Sequence, residues 1–155
     1  MDENRVSTIR IRQAILADIE ELSVLFDGYR QFYGRESDLA AAEKFLLDRF
    51  HHAESVLFIA HQGSSPIGFA QLYPSFSSVS LGRIYILNDL FVNQLGRRKG
   101  VGSQLISAVV DFAKAVGAIR LGLSTALTNT NAQALYETKG WERDDDFFYI
   151  YPIRK

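Results

Sequence analysis

The chain has 155 residues, 47% apolar and 23% charged, with a formal net charge of −1 at pH 7. That length suits one compact domain, 1–155, with its own core. The near-neutral balance leaves no broad positive face for general nucleic-acid binding. There is no cysteine, which excludes disulfides, thiolate metal sites and an acyl-cysteine intermediate. The polar start, MDENRVSTIR, lacks the apolar centre of a signal peptide. No stretch approaches the ~18 apolar residues of a membrane span, so a cytoplasmic protein without membrane contact is expected. His51, His52 and His61 show no metal-ligand spacing, and no metal is expected.

STIRIRQA (7–14) alternates apolar and polar residues, as a strand does. From Asp18, residues Ile19, Leu22, Leu25, Phe26, Tyr29 and Tyr33 recur at helical spacing until Gly34. A second helix is predicted over 37–50, with Ser37 or Asp38 as its cap. SVLFIAHQ (55–62) and IGFAQLYPSFSS (67–78) read as a hairpin around GSSP, the second strand ending or bulging near Pro74. GRIYILNDLFVN (82–93) reads as a long central strand. Residues 101–117 form an apolar-striped helix stopped by Gly117, followed by a strand over 118–126. NTNAQALYETKG (129–140) is a short helix capped by Asn129 or Asn131. WERDDDFFYIYPIRK (141–155) suggests a last strand pair around an acidic turn. The order describes a mixed α/β sheet, with a right-handed parallel crossover over 82–126.

QLGRRKGVGSQLI (94–106) places Arg97, Arg98 and Lys99 beside Gly100 and Gly102 at the entrance of a helix. A helix N-terminus carries unpaired N–H groups and about half an elementary positive charge. Glycines let backbone approach a ligand, so the stretch has the chemistry of an anion cradle. It is not a P-loop, because Lys99 precedes Gly100, and it lacks the third glycine of a dinucleotide fingerprint.

Arg97-x-x-Gly100-x-Gly102 resembles the acetyl-coenzyme A signature of the GNAT superfamily of N-acetyltransferases. Asn129-x-x-Ala132-x-x-Leu135-Tyr136-x-x-x-Gly140-Trp141 resembles that family's second motif, and ILNDLFV (86–92) its splayed central strand. The likeness runs from about residue 8 to residue 153. It implies an α/β (α+β) fold: a mixed, mostly antiparallel twisted sheet with a splayed V and flanking helices.

The resemblance also implies roles. Backbone amides of Arg98, Lys99, Gly100, Val101, Gly102 and Ser103 would hold the pyrophosphate of acetyl-coenzyme A, with charge added by Arg97 and Lys99. The pantetheine arm would pair with strand backbone at Leu90 and Val92, with Phe91 between them also on the cofactor side of the site, and N–H groups near Leu90 would meet oxyanion charge. Asn129 would contact the same arm, cap its own helix, or do both. Tyr136 would protonate the leaving thiolate, unless it is a core tyrosine. ILNDLFV is similar in particular to the matching strand of the spermidine/spermine-type small-amine acetyltransferases. Asn88 stands where that subgroup has a glutamate proposed as base. Asp89 is retained, to attract the amine, to act as base through water, or to serve as a structural carboxylate.

In this superfamily the first two helices and the last hairpin largely set acceptor specificity. Here they offer Tyr29, Phe32, Tyr33 and Glu36, then Asp144, Asp145 and Asp146. Aromatics beside carboxylates suit a cationic amine; alternatively Phe32 and Tyr33 are core and the aspartates a solvated turn. The expected activity is acetyl transfer from acetyl-coenzyme A to a small-molecule primary amine. A protein acetyltransferase and a non-catalytic coenzyme A sensor are the alternatives. A homodimer is the family's common habit, and the aromatic tail FFYIYP (147–152) could equally be core.

Overall fold

A computed structural model describes residues 8–154. The polar start and the first residue of the predicted first strand, Ser7, lie outside the described residues. The chain divides into two compact units, Met1–Leu123 and Ser124–Lys155.

The first unit carries β1 (Ile9–Gln13), a 3₁₀ turn (Leu16–Asp18), α1 (Ile19–Phe32), α2 (Leu39–His51), β2 (Val56–Gln62), β3 (Ser65–Ser77) and β4 (Gly82–Val92). A 3₁₀ turn (Gln94–Gly96), α3 (Val101–Ala115) and β5 (Arg120–Gly122) complete it. The five strands form one sheet in the order β1-β2-β3-β4-β5. The first four pair antiparallel and β5 joins β4 in parallel. This is the mixed, mostly antiparallel sheet expected from the sequence.

The two helical stripes explain the layers. Ile19, Leu22, Leu25 and Phe26 of α1 pack with Ala42 and Leu46 of α2 against Leu57, Ile59 and Phe69 of the sheet. On α3, Val101, Leu105, Ile106, Val109 and Ala113 are buried, and the Phe112 ring meets Phe58 and Tyr85. Phe58 and Phe69 are adjacent to residues paired across β2 and β3, so period-two alternation sends one set of side chains to each helical layer. The α1–α2 corner is held by Asp27. Its carboxylate accepts from Ser37 Oγ (2.6 Å), Asp38 N (2.8 Å) and Gln31 Nε2 (3.1 Å). Ser37 is thereby engaged, and Asp38 caps α2 by accepting from Ala41 N.

Three expectations need correction. β3 runs through Pro74, which pairs with Tyr85, and its irregularity falls earlier, between Gln71 and Leu72. Pro74 is tolerated because β2 pairs with β3 only as far as Leu72, so the missing N–H leaves no β2 ladder bond unmade. β4 is next to last in the sheet rather than central, and β5 spans only Arg120–Gly122 of the predicted 118–126.

The second unit holds α4 (Thr130–Thr138), capped by Asn129, whose Oδ1 accepts from Ala132 N. The predicted last strand pair is absent among the described residues of 141–154. Phe147, Phe148, Tyr149, Ile150, Tyr151 and Ile153 are exposed there. An aromatic, β-prone run makes a strand only where an edge is present to pair with it.

Candidate active site

The site grows from one irregularity in β4. Gln71 pairs with Asp89, but Leu72 pairs with Leu87, so Asn88 is the extra residue of a β-bulge. Regular alternation would set Leu87 and Asp89 on one face. The bulge lets Leu87 follow Leu72 while Asp89 follows Gln71. Two residues on, Phe69 and Phe91 each pack edge-on to Tyr29 of α1. The Asp89 face is therefore the face that α1 covers.

The bulge also marks where β4 loses its outer neighbour. β5 pairs only with Ile84, Tyr85 and Ile86. From Leu87 to Val92, no described strand pairs with the β4 edge away from β3. Asn93 N donates to Ile67 O at 2.9 Å, toward β3. Amide direction alternates along extended chain, so the N–H groups of Leu90 and Val92 point to the open edge and that of Phe91 points inward. Leu90 and Val92 of the predicted binding strand thus carry outward-pointing donors, and Phe91 does not.

Asp89 is 2% exposed. Asn88 Nδ2 donates to its Oδ1 at 2.9 Å. Gln71 Nε2 donates to its Oδ2 and, at 3.1 Å, to Tyr73 Oη. The Tyr29 hydroxyl also faces Asp89 and donates to Asn88 O at 3.4 Å. Burial pushes the Asp89 carboxyl above the usual range, and donation from Gln71, Asn88 and Tyr29 opposes that rise. Burial and the Asp89 charge push the Tyr29 and Tyr73 hydroxyls upward, so both remain protonated at neutral pH. The Gln71 carbonyl oxygen, Oε1, is buried without a hydrogen-bond partner. Tyr33 stacks edge-on to Tyr29 at 5.0 Å between centroids. Phe32 and Tyr33 are both 67% exposed, so neither is a core residue, and Glu36 is exposed as well. The fold therefore gathers Tyr29, Tyr33, Asn88 and Asp89. It adds Gln71 and Tyr73, which sequence reasoning missed; strand alternation with Phe69 was the available signal.

The glycine-rich loop lies at the end of the same strand. Arg98 (φ 62°) and Gly100 (φ 76°) both adopt left-handed backbone before α3 begins. Gln104 N is the amide that closes onto Gly100 O, at 3.1 Å. The first-turn amides of Val101, Gly102 and Ser103 precede it and have no acceptor within the helix. Gly96 was not singled out from the sequence, yet a Cβ there would meet Val92 Cγ1 at 2.8 Å and Ile67 Cβ at 3.0 Å. Its absent side chain lets the loop seat against the sheet. Arg97 and Arg98 are exposed. Lys99 Nζ instead donates to Gln62 Oε1 at 2.8 Å, which directs its charge to the end of β2. First-turn amides, an approach with no side chain at Gly102 and the adjoining Leu90–Val92 donors suit a phosphate carrying an extended amide arm.

Asn129 and Tyr136 belong to the second unit. The Asn129 side chain acts as a cap. The Tyr136 ring packs on Trp141 at 5.9 Å, and Tyr136 O accepts from Trp141 N. Asp144 Oδ1 accepts from the Asp145 and Asp146 amides, so this acidic run closes its own turn.

Four antiparallel strands, a crossover helix and a β4 edge that β5 abandons after three residues are the architecture of the GNAT acetyltransferases. The model of the acetyltransferase (GNAT) family matches residues 20–141, and the chain belongs to that family. It is 49% identical over 141 residues to an uncharacterized N-acetyltransferase, YhfO, of Bacillus subtilis, spanning 91% of this chain and 95% of the relative. It is 27% identical over 133 residues to a thialysine N-epsilon-acetyltransferase of Caenorhabditis elegans, spanning 79% and 82%. The crystal structure of a probable acetyltransferase superposes with a TM-score of 0.88 at 40% identity, covering 94% of this chain and 99% of that one. The protein is an N-acetyltransferase of a family that uses acetyl-coenzyme A.

Proposed function

We propose that the protein transfers the acetyl group of acetyl-coenzyme A directly to a primary amine of a small cationic molecule. The observation that carries this reading is Asp89, a buried carboxylate beside the Tyr29 and Tyr73 hydroxyls, on the strand whose outer edge is open. A carboxylate beside tyrosine hydroxyls favours an ammonium. The name of the Caenorhabditis elegans relative, a thialysine N-epsilon-acetyltransferase, supports a small-amine acceptor. So does the likeness of ILNDLFV to the spermidine/spermine-type strand.

When bound, acetyl-coenzyme A supplies an acetyl thioester. The amides of Arg98 to Ser103 hold its phosphates, with Arg97 and Lys99 adding charge, and Leu90, Phe91 and Val92 line its arm. Leu90 N–H meets developing oxyanion charge. Asp89 draws the ammonium in and takes its proton through water, since a protonated amine is no nucleophile. Asn88 cannot take that proton; its amide holds Asp89 and borders the acceptor with Tyr29 and Tyr33. Asn129 contacts the arm and Tyr136 protonates the departing thiolate. Residues 1–155 act as one domain, which is supported by a family match that crosses both units. Among the described residues no helix is long and apolar enough to cross a membrane; a cytoplasmic homodimer completes the reading.

The test is a panel of polyamines, amino acids and peptides assayed with acetyl-coenzyme A. Transfer to polyamines or amino acids supports the reading; transfer to peptides alone overturns it.

A further inference from the structure

We infer that Gln71 is a positioning residue for acetyl transfer: its side-chain amide, directly across the β3–β4 pair, fixes the Asp89 carboxylate and keeps it available to accept a proton. The inference rests on the role proposed above for Asp89. Gln71 is 0% exposed and is the register partner of Asp89, so the amide meets the carboxyl without any long reach. The bulge at Asn88 makes this pairing possible, because it turns Asp89 to the Gln71 face. The two Asp89 oxygens are then held by two amides, Gln71 on Oδ2 and Asn88 on Oδ1. They differ in setting: Asn88 is exposed and Gln71 is wholly buried.

The Gln71 carbonyl oxygen supplies a second, independent observation. It is buried with no partner, and cores seldom leave such an atom unmatched. Turning the amide over would set that oxygen against an ionised carboxylate. The amide thus keeps the orientation that serves Asp89 while one of its own atoms goes unsatisfied. Its second N–H contact, to Tyr73 Oη, holds it in this orientation. Burial raises the Asp89 carboxyl and the Gln71 hydrogen bond is the foremost influence lowering it. The titratable groups facing Asp89 are Tyr29 from α1 and Tyr73 from β3, and Arg49 of α2 reaches Tyr73. Both tyrosines are pushed upward and stay protonated through the neutral range, so Asp89 is the group of this cluster that loses its proton first as pH rises.

The experiment uses the full chain with ¹³C at the aspartate carboxyl carbons, titrated by NMR, with Asp89→Asn identifying the resonance. In Gln71→Met, which keeps the bulk and removes the donors, the Asp89 midpoint moves up by about one pH unit or more. The acid limb of kcat/KM for a primary amine moves with it, while acetyl-coenzyme A affinity, measured by calorimetry, stays within about twofold. An unmoved midpoint in the folded variant overturns the inference and leaves the Asp89 reading standing. A midpoint that moves while the limb of kcat/KM stays still overturns the Asp89 reading instead. Should Gln71→Met fail to fold, Gln71→Glu sets a second carboxyl opposite Asp89. The pair must then hold a proton to higher pH, and an unmoved midpoint there again overturns the inference.

Discussion

Gly102, in the first turn of α3, faces Val92 at the end of β4: a Cβ built on it would stand 4.0 Å from Val92 Cγ2 and meet nothing nearer. The space in front of the helix N-terminus is therefore open at the point where the strand amides of Leu90 and Val92 turn outward. Gly102→Glu fills that space with bulk and negative charge. Acetyl-coenzyme A affinity, measured by calorimetry, falls by about 100-fold or more, since the carboxylate competes for the amides that attract phosphate. The melting temperature stays within a few degrees, because a helical glycine replaced in open space costs the fold nothing.

Gly96 is predicted to behave in the opposite way. A Cβ there would press on Val92 Cγ1 and on the Ile67 backbone, at 2.8 Å and 3.1 Å. Gly96→Ala therefore lowers unfolding free energy by about 2 kcal/mol, read from urea denaturation. The loop it seats is displaced, and acetyl-coenzyme A affinity falls with stability rather than independently of it.

Acid sensitivity follows from two carboxylates. The Arg12 guanidinium, at 2.7 Å, holds the Asp18 carboxyl below the usual range. Hydrogen bonds led by Ser37 hold Asp27 below it as well. Folded values below the unfolded value mean stability that is present above the ordinary carboxylate range, about pH 4, and lost as pH falls through the folded values. Asp89 has the opposite sign: raised above its unfolded value, it favours folding at low pH and costs stability as pH rises through its folded value. Urea unfolding at neutral pH and below pH 4 is expected to show a net loss on acidification. Asp27→Asn shallows that loss and costs about 2 kcal/mol at neutral pH, where a charged acceptor of three donors is replaced.

Tyr136→Phe removes one hydroxyl and leaves the ring contact with Trp141 available. If the hydroxyl protonates the thiolate, kcat falls by about 100-fold with acetyl-coenzyme A affinity unchanged. An unaltered kcat on a confirmed acceptor removes Tyr136 from the mechanism.

Much of this molecule could be read in order along the chain. The 3.6-residue stripes of α1 and α3, the period-two run of β1, the short apolar run of β2, and the capping residues Asp38 and Asn129 are local properties, set by neighbours within a few positions. The glycine-rich loop was legible for the same reason, since its strand, turn and helix are contiguous. Tyr29 and Tyr33 followed from the stripe of α1.

Asp89 was legible as a candidate, but its surroundings were not. Whether Leu87 or Asp89 faces α1 depends on a bulge that exists only between β3 and β4, 18 residues apart at Gln71 and Asp89. Gln71, Tyr73 and Gly96 likewise owe their importance to partners distant in the chain. Lys99 reads as part of the cradle from the sequence, but that β2 brings Gln62 within 2.8 Å of its ammonium is a matter of the fold alone. The tail 147–153 shows the same limit from the other side, since its aromatic run beside an acidic turn promised strands that the described chain does not form. Periodicity, caps and loop chemistry are local and so are written in the amino-acid order. Register, bulges and burial arise when strands far apart in the chain meet, and there the folded sheet chose the partners of Asp89.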